Sequence, residues 1–587
     1  MNEVEHQGRI TRRRLLTGLG AASAVGVAGT FWRPLLADAR TIGETVIGTA
    51  SEVLPGDPRT PDGTFYSWND PQAWPNGRVP GPNDKAVVDR HVVVSGDITV
   101  AAIEVKPGGL LRYEPNTTTT IQSRGNVVVA GQLTMRPSSQ AVGHTLRFIE
   151  VDESKYVGGG MKVLDSDVGL WIIDHGVLDA VGTPKAGWNR SGDDPTWLAT
   201  DEIVSAPNAK GDFTTFARFT KGAAVPLVQG PDGAVPTEVL NLTRNVWIEG
   251  TPGGRAHVMF LHCHQPQTVR YIGIRHMGPR QDTGDTFRAS GSTHAITEGV
   301  LGRYGLHLHH CQDGTRGSLI EGVVVRDAGN VGFVPHMSHG ITLRDCIAYR
   351  VHDHGFWWDH GDVTHDVTYD HCAVMLVSTS PDFRGYETTG FTLGEGRGTV
   401  ATDCVAVGVR SGSVNAGAFL WPHTANHKEH NVWRFEDCVA HNNREVGFAT
   451  WQNDSNAHFI DGLLSYHNGV GISHGAYVNE YTYRRGTTFG NDTEIAHRAM
   501  GPITFERMRF YGKTLIAEHA LKTDEVARYV NCMFAGPIVI DEGKEPGVLR
   551  FESTSRQFDL TPDRFEVGNV LSKITVVNSD GSTFVVR

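Results

Sequence analysis

Three features of the 587-residue sequence predict an all-β protein built mainly as a right-handed parallel β-helix. A glycine recurs at the head of an alternating strand, a column of cysteines keeps step with it, and no stretch shows the 3.6-residue apolar period of a helix. The glycines are Gly305, Gly332, Gly355, Gly390, Gly417, Gly447 and Gly471, spaced by 27, 23, 35, 27, 30 and 24 residues. Most head the pattern Gly, apolar, variable, apolar, variable, as in Gly305-Leu306-His307-Leu308-His309, so alternate side chains face opposite sides of a strand. Cys346, Cys372, Cys404 and Cys438 each follow a polar pair and open an apolar strand. They read as an interior ladder of buried thiols, with disulfides between adjacent rungs as the alternative. The variable period places extra loops at the corners, typically on the ligand-binding side of such solenoids.

In chain order, Thr11-Arg12-Arg13-Arg14, eighteen uncharged residues from Leu15 to Trp32, and Ala37-Asp38-Ala39 resemble a twin-arginine export signal, with cleavage expected after Ala39. The alternative is a retained anchor, although Thr17, Gly18, Gly20, Gly26 and Gly29 dilute the apolar run. Residues 1–39 are thus the expected signal and 40–66 a linker, and the protein is expected outside the cytoplasm: extracellular, in the cell wall or periplasmic. No integral membrane span is expected after cleavage, since a span needs about 20 mostly apolar residues. Residues 67–155 read as a separate all-β unit, with Trp68, Trp74, Val87, Val92, Ile98 and Leu110 on short strands and turn signals between them. Residues 156–250 form a β-rich connecting region, and 251–587 the β-helix proper with its C-terminal β rungs.

Composition narrows the function. Charged residues are only 20% and glycines number 69, which excludes a coiled coil, a collagen and a charge-rich disordered chain. The formal net charge of −12 becomes −14 without residues 1–39, and no basic run follows them. Nucleic acid is therefore not an expected partner.

Histidine carries the chemistry. Of the 28 histidines, 15 fall between His257 and His371, where about five or six would fall by chance. If Leu306 and Leu308 face inward, His307 and His309 share the outward face, about 6.8 Å apart. The fifth position of the next two rungs is His336 and then Asp359. Adjacent strands lie about 4.8 Å apart, so His309, His336 and Asp359 should stack outward with His307 alongside. Imidazoles with a carboxylate suit zinc, iron, copper or nickel better than magnesium, and zinc is the expected divalent transition metal. A hydrogen-bonded polar ladder and metal-free acid–base work remain open. His262 and His264 repeat the in–out pattern one rung earlier. His339, His354 and His360 fall off the outward position and read as candidates for orienting ligands or moving protons. Trp357, Trp421 and Trp451 are candidate platforms for sugar rings, Glu395 and Asp362 candidate acids, and Arg303 a candidate clamp on a uronate carboxylate.

Ser67 to Pro137 resembles the eight-glycine (G8) domain, and the chain that follows is similar to the β-helix of the cell-migration-inducing hyaluronidase family and its transmembrane relatives. That likeness spans roughly Ser67 to Ser378 and rests on Arg303-Tyr304 before His307 and His309, on His336 and His339-Gly340, and on His354, Phe356 and Asp359. Pro335 stands where the family prefers valine, and Asp359-His360 replaces its acidic pair. The resemblance implies a G8-type domain ahead of a β-helix and the depolymerisation of hyaluronan or another acidic polysaccharide. Catalytic roles would then fall to His339, His354, His360 and Arg303, beside a metal on His307, His309, His336 and Asp359. Two other readings stay open: a non-catalytic surface protein that binds glycan, and a polysaccharide lyase. The lyase reading sits poorly with the lack of any lysine between Lys221 and Lys428 and of calcium-type carboxylate clusters on the rungs.

Overall fold

The computed structural model describes residues 65–289, 292–359, 363–378, 388–393, 396–410, 417–421, 434–450, 457–474, 480–497, 502–517, 526–541, 548–568 and 573–586. The expected export signal and the linker up to residue 64 lie outside the described residues. From residue 65 onward the chain forms one compact unit, a parallel β-helix whose turns each add one strand to three long sheets of 16, 18 and 14 strands. One turn runs through Leu306–Gln312 on the first face, Leu319–Glu321 on the second and Val324–Arg326 on the third. The next runs through Phe333–Ser338, Thr342–Arg344 and Ile347–His352. All pair in parallel with their counterparts. Among the described residues no helix is long and apolar enough to cross a membrane.

The repeat works as its columns suggest. Phe333, Phe356, Phe391 and Phe419 lie at matching positions of successive first-face strands and stack inside the coil, ring centroids 4.7, 4.7 and 5.0 Å apart and planes within 10° of parallel. The corner between second and third faces is a single residue in the left-handed region, occupied by Gly322, Asp345, His371, Asp403, Asp437 and Gly462 on successive turns. That conformation turns the next residue into the core, which is where Cys346, Cys372, Cys404 and Cys438 sit, all free and fully buried. Each thiol donates to a carbonyl one rung back, Cys372 to Leu343 at 3.3 Å and Cys404 to Tyr369 at 3.4 Å. The ladder is one of thiols, as the composition of the column implied.

The expected boundaries at 155/156 and 250/251 are not breaks. Lys85–Val88, Ala102–Val105, Val127–Val129, Leu170–Ile173, Val258–Leu261 and Leu306–Gln312 are consecutive parallel strands of the first face. Residues 67–155 are therefore the opening rungs of the same coil. Alternating apolar strands with turns between them look alike in a sandwich and in a solenoid, because their periodicity does not encode pairing. The connecting region does hold a genuine insertion. Between Val177–Val181 and Val246–Glu249 the chain leaves the coil and forms a small antiparallel sheet of Trp188–Asn189, Ile203–Ser205, Ala217–Arg218 and Val239–Asn241. Its Trp188, Val204, Leu240 and Leu242 pack on the outer surface of the third face, against Val324, Ile347, Ala373 and Val405. A second insertion, the hairpin Arg280–Ala289 and Ser292–Gly299, precedes the first-face strand that carries His307.

Candidate metal centre

Two first-face strands supply the centre, and their register is the expected one: Leu306 opposite Phe333, Leu308 opposite Pro335 and His309 opposite His336. Leu306 and Leu308 face the core, so the imidazoles lie on the outer side. They are nevertheless buried, His307 completely, His309 with 9% and His336 with 7% of its surface exposed. The anticipated open outward stack is corrected in this respect, because an apolar group of Tyr304, Val331, Val334, Trp357 and Trp358 packs alongside and Met161 approaches from a distant loop. Asp359 does not join by rung stacking either. The strand after His336 ends at Phe356, and Asp359 follows in the left-handed region at φ 63°. Its Oδ2 still comes within 3.7 Å of His336 Nδ1 and accepts a hydrogen bond from the Tyr304 hydroxyl at 3.1 Å.

The outer nitrogens fix how the inner ones present themselves. His307 Nδ1 donates to the Gly302 carbonyl at 2.9 Å, leaving a lone pair on Nε2. His309 Nε2 lies 3.1 Å from Met161 Sδ, and because a thioether only accepts, that nitrogen carries the proton and Nδ1 the lone pair. His309 Nδ1 stands 3.3 Å from His307 Nε2 and 3.1 Å from His336 Nδ1. All three ligand atoms lie within 4.8 Å of one another. A proton on His336 Nδ1 could bridge one pair, but the His307 and His309 lone pairs would still face each other. A cation between them removes the conflict. Atoms held about 2.0–2.1 Å from a tetrahedral ion stand roughly 3.3–3.4 Å apart, close to the two spacings that His309 Nδ1 makes with its neighbours. The residues therefore fit a divalent transition metal, with Asp359 at hand as a carboxylate ligand. Burial holds His307 well below the usual imidazole range, reinforced by His309 and His336. Burial, then the neighbouring His336 and His310, brings His309 down to about 2. Both rings are thus kept in the neutral form that metal ligation needs.

The other anticipated residues disperse. Arg303 is enclosed: its Nε donates to Asp167 at 2.7 Å, both side chains have no exposed surface, and the guanidinium lies over Trp171 at 4.8 Å. A clamp on a substrate carboxylate is corrected accordingly. Arg303 also donates to the Gly159 carbonyl, while Asp167 accepts from the Val157 and Gly158 amides, so the pair pins the loop that brings Met161 to His309. His339 packs against His365 with centroids 4.6 Å apart, and its Nδ1 accepts from the His365 amide at 3.1 Å. That arrangement ties a corner together. His354 contacts the Thr389 hydroxyl at 2.9 Å and stacks on Trp357 at 4.9 Å, outside the three-histidine group. Trp357 is 2% exposed, so it is a wall of the site and not a sugar platform. His360, Asp362, Glu395 and Trp451, and the Trp421 side chain, lie outside the described residues.

Met161 was missed because it comes from 148 residues upstream, in a glycine-rich loop with no strand pattern. Tyr304 lay in the motif, but its hydrogen bond to Asp359 has no sequence signature. The chain matches no known protein-family pattern and no curated protein. Among solved structures it is similar to the tailspike protein gp49 from Pseudomonas phage LKA1, at 11% identity over 86% of this chain and 70% of that one, with a TM-score of 0.19.

Proposed function

We propose that the protein is an exported, metal-dependent polysaccharide depolymerase that cleaves glycosidic bonds in an acidic glycan, with hyaluronan as the first candidate. The observation that carries the reading is the convergence of the His307, His309 and His336 nitrogens beside Asp359. His307 Nε2, His309 Nδ1 and His336 Nδ1 would hold the ion, zinc being the best match to the donors, and Asp359 would complete or flank it. A bound ion would supply Lewis-acid polarisation of the reacting oxygen. Tyr304 holds its hydroxyl proton toward Asp359 Oδ2 and so keeps that carboxylate turned to the centre. Gly302 and Met161 fix two imidazoles in their ligating form, and the Trp357–Trp358 wall limits water on one side. The likeness to the hyaluronidase family, not the geometry, supports the choice of polymer.

The test combines metal analysis with product sizing. Protein exported by its native host should carry equimolar metal and shorten at least one polymer in a panel of acidic and neutral glycans. His309→Ala should lose both the metal and the activity. A metal-loaded protein that shortens no glycan would sink the enzyme reading. The burial of all three rings favours one second reading, a glycan-binding protein with a structural ion. In that case chelation lowers the melting temperature while glycan affinity persists and no chain is cut. Products with the ultraviolet absorbance of an unsaturated uronate would instead make it a lyase.

A further inference from the structure

Three histidines of the crowded segment, His262, His264 and His310, lie outside the centre, and His175 joins them from the preceding rung. His262 and His310 follow Leu261 and His309, which are paired in register, so they occupy equivalent corners on adjacent rungs. Both are left-handed, at φ 51° and 53°, and their rings stand 6.1 Å apart. His310 is half-buried, with its ring 4.4 Å from that of His309 and 4.8 Å from that of His336. Two residues beyond His262, the exposed His264 ring lies 5.3 Å from exposed His175 of the preceding rung. Two imidazole pairs thus lie between solvent and the buried ligands, His175 with His264 at the exposed end and His262 with His310 against the centre, joined along the chain by Cys263. His262 Nδ1 donates to the His310 carbonyl at 3.2 Å, which leaves its Nε2 lone pair for a ligand.

We propose that His175, His264, His262 and His310 form a loading path for the divalent transition ion of the centre; the proposal rests on the metal-centre reading. The centre is buried, so a hydrated ion must exchange its waters on the way in. Exposed imidazoles can take those places one at a time, since they are good ligands for zinc, cobalt, nickel and copper. An ion held at these pairs is presented to His309 and His336 at high effective concentration. A path of this kind speeds entry and exit equally and leaves the equilibrium alone.

The experiment mixes metal-free full-length protein with Co²⁺ in a stopped-flow instrument and follows the visible d–d absorption of the bound ion. Release is then timed by adding a chelator. A His175→Gln/His262→Asn/His264→Gln variant keeps the left-handed corner with an asparagine, which tolerates it. The variant should take up and release the ion about tenfold more slowly than the parent, with unchanged stoichiometry and affinity. A His175→Gln/His264→Gln variant, which leaves the corner untouched, should show a smaller slowing of the same kind. Unchanged rates in both variants overturn the loading path. A weakened equilibrium affinity also overturns it, since these residues would then belong to the centre itself. A parent protein that binds neither Co²⁺ nor Zn²⁺ would overturn the metal-centre reading, and the path with it.

Discussion

Asp345 illustrates how a single corner residue can work against the fold it serves. It sits at φ 50° where the second face turns into the third, and its Oδ2 accepts the Gly187 amide of the insertion at 2.6 Å. Its Oδ1 is buried without a hydrogen-bond partner among the described residues. Burial raises the carboxyl to about 6 against the opposing pull of the Gly187 amide and His371. A folded value above the unfolded one, about 3.9, means that its stabilising share is complete below about pH 4 and is lost as pH rises through about 6. Asp345→Asn should therefore gain about 3 kcal/mol over the parent between pH 4 and pH 8. Urea unfolding at the two pH values measures this directly, and a gain that does not depend on pH would point to the left-handed backbone alone. The same scale marks how far sequence reading reached at the site. His307, His309 and His336 were legible because alternation assigns a strand residue to a side. Met161 and the enclosure of Arg303 by Asp167 were not, because each depends on a partner more than 130 residues away, and the burial of the rings depends on packing of Tyr304, Val334, Trp357 and Trp358 that alternation does not encode.

At the level of elements, the coil was legible wherever a column repeats. The Gly305-to-Gly471 spacing marked the first-face strands, and the Cys346-to-Cys438 column marked the corner before the third face. Both signals come from one rung resting on the next, so each repeat constrains the same residue type. The opening rungs of residues 67–155 lack those columns and share only the alternation, so in sequence they read as a separate unit. The aromatic stack gives this scale its prediction. Phe391 lies between Phe356 and Phe419, at centroid distances of 4.7 and 5.0 Å, with no exposed surface. Phe391→Ala removes the ring and leaves a cavity that two flat neighbours cannot close, a loss of about 3–5 kcal/mol. Phe391→Leu retains most of the volume and should cost less than about 2 kcal/mol. Chemical denaturation of both variants checks the ranking. A cooperative loss across the coil, and not at one rung, would show that neighbouring turns unfold together.

Across the whole molecule, the insertion between Val181 and Val246 is what a period-based reading could not foresee, since its strands run antiparallel and its apolar residues meet rungs far along the chain. What fastens it is charge as well as packing. Glu238 on the insertion is fully buried, accepts from Arg190 Nε at 2.9 Å, and lies 2.6 Å from Nε2 of His441 on the third face. Tyr466 stacks on His441 at 4.6 Å, and Asn442 donates to the carbonyls of Ala209 and Asp212. Burial alone would raise Glu238, but the charges of His441 and Arg190 outweigh it and bring the carboxyl down to about 2. A folded value below the unfolded one, about 4.3, gives stability that is complete above about pH 4.5 and disappears as pH falls toward 2; the difference is worth about 3 kcal/mol. Near neutrality Glu238→Gln should cost roughly 3 kcal/mol, because it leaves the Arg190 guanidinium without the buried carboxylate it donates to. The gap between parent and variant should then narrow as the solution is acidified from pH 5 to pH 2, where the parent carboxyl also loses its charge. Hydrogen exchange at Ile203–Ser205 and Val239–Asn241 reads the docking locally, apart from any effect on the coil. Protection that falls in the variant at pH 7 and matches the parent near pH 2 follows from the charge network. A gap of constant size over that range would mean that packing against Val324, Ile347 and Ala373 holds the insertion and that Glu238 contributes only shape.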